Sequence, residues 1–156
     1  MWVLEQMGLN PRPVDMGPDL AQMLERCDGA LLIGDRALDE AARHPELVRM
    51  DLGQAWLELT GFPMVFAVFA AHRDSPQEML VDAHRLLVKQ LEAFENSENT
   101  RRSVIKSTSS RSGFGEERIE KYFGEVKLRL DTDGEDGLRH FLQNVCDVES
   151  FKMIEI

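Results

Sequence analysis

Met64-Val65-Phe66-Ala67-Val68-Phe69-Ala70-Ala71, entered through Gly61-Phe62-Pro63, is the longest apolar run in the chain. A bilayer-spanning helix needs roughly 20 apolar residues, so this run is far too short to cross a membrane. Its length, its β-branched and aromatic content and its turn-forming flanks predict a strand covered on both faces. Towards the N-terminus, Ala30-Leu31-Leu32-Ile33 is a second continuous apolar segment, stopped by Gly34-Asp35. Between the two, Leu47 to Asp51 alternates as a half-buried strand would, and Val14-Asp15-Met16 is short enough for an edge strand. Helical spacing fills the intervals. Trp2, Val3 and Gln6-Met7 stop at Gly8, Pro18-Asp19 opens a helix ending near Cys27, Arg36 to Arg43 closes at His44-Pro45, and Leu52 to Thr60 closes at Gly61. Strands alternating with helices up to residue 71 predict an α/β fold with a mostly parallel sheet.

Beyond residue 71 the pattern changes. Ser75-Pro76 starts a long helix carrying Leu80, Ala83, Leu87, Leu91 and Phe94 on one face and reaching about Glu95. Residues 96–115 read as a loop or weak helix, 116–123 as a short helix, Val126 to Leu130 as an alternating strand, and Asp131 to Gly134 as a turn. A last helix covers about Glu135 to Val145. These helices offer more apolar face than one modest strand can cover, so something else should cover them.

Composition narrows the function classes. The chain has 156 residues, 43% of them hydrophobic, enough for a core of about one domain. With 18 Lys and Arg against 28 Asp and Glu, the net charge of −10 argues against a nucleic-acid partner, which needs a dense basic footprint. Cys27 and Cys146 show no Cys-x-x-Cys spacing and read as reduced, buried thiols of a cytoplasmic protein. No secretory signal and no membrane partner are expected. The histidines His44, His72, His84 and His140 lack the spacing of a metal site, so no metal is expected. No Gly-x-Ser-x-Gly elbow and no phosphate-binding glycine loop occur.

At Gly34-Asp35 a strand is expected to end and a helix to begin, which is where open α/β sheets bind ligands. Backbone amides at such a helix start can meet a carboxylate. Asp35 is equally a favoured N-cap for the helix over 36–43. Arg101-Arg102, Lys106 and Arg111 form a basic, serine-rich stretch that reads as structural. His72-Arg73 reads as a solvated charged turn, and Trp56 with Leu59 as core.

Ala30 to Leu38, together with Asp51-Leu52-Gly53-Gln54-Ala55-Trp56-Leu57-Glu58-Leu59-Thr60-Gly61-Phe62-Pro63-Met64-Val65-Phe66-Ala67-Val68, resembles the chorismate dehydratase family of the futalosine route to menaquinone. Tyr122-Phe123 and Gly137-Leu138-Arg139 with Phe141 resemble the family's C-terminal pattern, and Phe69 stands where the family usually has tryptophan. The resemblance implies part of a two-lobed fold like type 2 periplasmic solute-binding proteins, a mixed sheet flanked by helices. In that reading residues 1–63 are the remainder of the second lobe, 64–71 a hinge-crossing strand, and 72–156 helices and one strand returning to the first lobe. The family's early Asn and Thr-Ser motifs have no counterpart here, so no catalytic residue is assigned and the fragment alone is expected to be inactive. The implied reaction is dehydration of chorismate, a dianion, to 3-[(1-carboxyvinyl)oxy]benzoate without a cofactor. Gly34, Asp35 and Phe66 are the substrate-binding candidates, the last through its place on the crossing strand. A homodimer is a further expectation. The rival reading is a small-carboxylate solute-binding or sensory module of the same fold without catalysis; a poorly folding truncation would expose Leu87, Phe94, Phe141 and Val145.

Overall fold

In the computed structural model, residues 1–149, 151 and 153 are described, and they form two compact units, Met1–Met64 and Val65–Ile156.

In the first unit, α1 (Trp2–Gln6) ends where Gly8 turns at φ +76°, a left-handed conformation that glycine adopts without steric cost. α2 (Leu20–Arg26) is capped by Asp19, whose carboxylate accepts the Gln22 N–H at 3.0 Å, so Pro18 lies ahead of the cap. α3 (Gly34–Arg43) is followed by a 3-10 turn over Pro45–Leu47. α4 (Leu52–Thr60) has an N-cap from Asp51, which accepts the Gln54 N–H at 3.0 Å, and a left-handed Gly61 at its end. The unit's core lies where α1 meets α4. Trp56 is 1% exposed and tilts against Trp2 with 5.3 Å between ring centroids, beside buried Val3 and Ala55. Leu59, expected beside Trp56, points outward.

The second unit holds α5 (Gln77–Asn96), α6 (Glu98–Ser112), α7 (Glu116–Glu125) and α8 (Thr132–Val145). α6 packs against both α5 and α7. Phe94 stacks on Phe123 with centroids 5.0 Å apart, the Arg101 guanidinium lies 5.0 Å over the Phe94 ring, and Ile105 and Ile119 are buried. α5, α6 and α7 therefore cover one another in part, and Leu87 of α5 stays exposed. Phe94, expected to be exposed in a poorly folding truncation, is buried.

The expected α/β sheet is corrected: among the described residues there is no strand, and every regular element is helical. Residues 30–33, 48–51, 64–71 and 126–130 run without helix, and Val14 to Met16 likewise forms no strand. An apolar or alternating run suits a pleated surface, but a strand exists only through the backbone bonds of a neighbour. None of residues 64–71 or 30–33 makes a hydrogen bond among the described residues. The mixed sheet of a type 2 periplasmic-binding-protein-like fold is thus not the architecture observed. Two smaller corrections concern helices. Residues 98–112, within a stretch expected as a loop or a weak helix, form the continuous helix α6, and the expected turn at 131–134 is the capped start of α8, where Asp131 accepts the Gly134 N–H at 2.9 Å. The expected segment 72–156 reaches into residues 150, 152 and 154–156, which lie outside the described residues.

Candidate functional site

The candidate binding residues fall in both units. Gly34 and Asp35 begin α3 in the first, and Phe66 belongs to the second.

Gly34 is needed for its conformation. Its φ is +61°, where an L side chain costs roughly 1–2 kcal/mol, and a Cβ built there would meet nothing within 4 Å. A side chain at residue 34 would therefore be opposed by backbone conformation and not by crowding. The N-cap is Ile33, which offers no side-chain acceptor, so no capping oxygen occupies the first amides of α3. Asp35 lies inside the first turn, which removes the reading of Asp35 as the cap of this helix. There its carboxylate faces the positive end of the helix dipole. An incoming carboxylate would meet open amides beside a resident negative charge, so the backbone, and not Asp35, is the attractive element. At the far end of α3, Arg43 pairs with Asp39 at 2.8 Å.

Phe66 is 85% exposed and Phe69 87%, flanking exposed Val68. The following turn is closed by Ser75 N–H donating to the His72 carbonyl at 2.9 Å, with the Asp74 carboxylate 3.4 Å from His72 Nδ1. Both side chains are well exposed, as expected of a solvated charged turn.

Two members of the basic stretch have partners within their own unit. Arg102 pairs with Glu98 at 2.8 Å, and Arg101 is divided between the Phe94 ring and Glu120. Cys146 is exposed and Cys27 half-buried, with its thiol 3.8 Å from the Met16 sulfur, so neither is the buried thiol expected. Among the described residues no group of three or more His, Cys, Asp and Glu side chains converges as metal ligands do. No described helix is long and apolar enough to cross a membrane.

One pairing has no signal in the sequence. Arg129, in the segment before α8, grips Glu95 near the end of α5 with two hydrogen bonds. That hydrogen bond holds the Glu95 carboxyl below, and the Arg129 guanidinium above, their ordinary values. The Asp131 carboxyl is held low as well, first by the Gly134 N–H and then by Lys127, whose ammonium is 3.1 Å away. Sequence separation hides such a contact, because neither residue belongs to a local motif.

The family model for menaquinone biosynthesis matches residues 1–146, and the chain belongs to that family. A chorismate dehydratase of Thermus thermophilus is 29% identical over 157 aligned residues, covering 90% of this chain and 55% of that protein. The chain thus spans about half the length of this curated relative. No solved structure matches it.

Proposed function

We propose that the chain provides part of a chorismate dehydratase, a carbon–oxygen lyase of menaquinone biosynthesis acting in the cytoplasm by the futalosine route. The observation that carries this reading is the family match over residues 1–146, supported by the chorismate dehydratase relative that aligns with 90% of the chain. The reaction removes a hydroxide and a ring proton from chorismate as water; the ring becomes aromatic and the enol ether of 3-[(1-carboxyvinyl)oxy]benzoate is retained. Aromatisation supplies the driving force. The protein's task is to orient the dianion and to provide the proton acceptor and donor. In this reading Gly34 and the first amides of α3 take one carboxylate and Asp35 orients a hydroxyl, since its charge repels a carboxylate. The proton-transfer groups are assigned to none of these residues.

A second reading, capture of a small carboxylate without turnover, is supported by the start of α3, which offers backbone amides to an anion but brings no acid–base pair with it. Titration calorimetry with chorismate on the chain joined to the remaining length of its family, followed by product analysis, separates the two. Binding together with a product lighter than chorismate by one water supports the lyase. Binding with chorismate recovered intact supports the second reading.

A further inference from the structure

We draw no further inference here: the strongest candidate, the groove along α5 lined by Val81, His84, Arg85, Val88, Lys89 and Glu92, lies on a single helix, and nothing in the structure shows what covers it.

Discussion

Arg129 donates to Glu95 through both arms of its guanidinium, Nε to Oε1 at 3.1 Å and Nη2 to Oε2 at 2.7 Å, tying the non-helical segment 126–130 to the end of α5. The fork geometry matters more than the charge, because a lysine could supply only a single point contact. Both groups are exposed, so the pair orders a segment and contributes little to global stability. Arg129→Lys and Arg129→Gln should leave the melting transition nearly unchanged and raise amide exchange across 126–130 several-fold. Unchanged exchange there would show that the segment is held by other contacts.

Acid should weaken the second unit slightly, chiefly through Asp131, the N-cap of α8, and only marginally through the exposed Glu95. Both carboxyls are held below their ordinary values of 4.5 and 3.8 in the folded chain. A depressed folded value means that the unfolded chain binds protons first, so the stabilisation is present above the ordinary values and is lost as the pH falls through the lower folded ones. Denaturant midpoints read by far-ultraviolet circular dichroism should therefore hold from pH 7 to about 5 and decline below about 4.5. In Asp131→Asn the acid decline should be shallower. An equal slope in both proteins would remove Asp131 from the account.

The two tryptophans, Trp2 and Trp56, both lie in the first unit and touch each other, so tryptophan fluorescence reports that unit. Trp56→Ala should cost about 3–5 kcal/mol, the usual result of emptying a fully buried aromatic site. It should abolish the cooperative unfolding of the first unit, seen through Trp2, while helical circular dichroism from α5 to α8 persists. Loss of all helix in this variant would contradict a core confined to α1 and α4.

Helix ends give a finer test. Asp51→Ala removes the acceptor of the Gln54 N–H and should destabilise α4 by about 1 kcal/mol. Gly61→Ala places a side chain at φ +77° and should cost a similar amount, roughly 1–2 kcal/mol. Asp51→Asn, which keeps the acceptor, should stay close to wild type in thermal melts.

These helix ends were also the most legible part of the sequence. The apolar spacing over 52–60 and Gly61 mark α4 without help from tertiary structure, although Asp51, its cap, read as the end of a strand, and Gly8 and Asp19 mark an end of α1 and of α2. α6 read only as a loop or a weak helix because its face is weakly apolar. It is helical through the Ser97 cap, the Arg102–Glu98 pair, the left-handed Gly113 and the burial of Ile105, and only the cap and the glycine are visible locally. The strands failed for a different reason. Residues 64–71 carry the composition of a strand, but pairing needs a neighbouring edge, and a run of apolar letters cannot say whether the same chain supplies one. At the candidate site, the need for glycine at residue 34 was legible from the stop it makes after Ile33. The role of Asp35 within the first turn, instead of at the cap, depended on where the helix begins.

The proposed function makes the chain part of a chorismate-dehydrating enzyme. It is tested most directly by incubating chorismate with the chain alone and with the chain joined to the remaining length of its family, and resolving the products by mass. The account predicts that the full-length form converts chorismate to 3-[(1-carboxyvinyl)oxy]benzoate with the loss of one water, at a rate reduced at least tenfold in Gly34→Val. Chorismate recovered unchanged from both forms would contradict it.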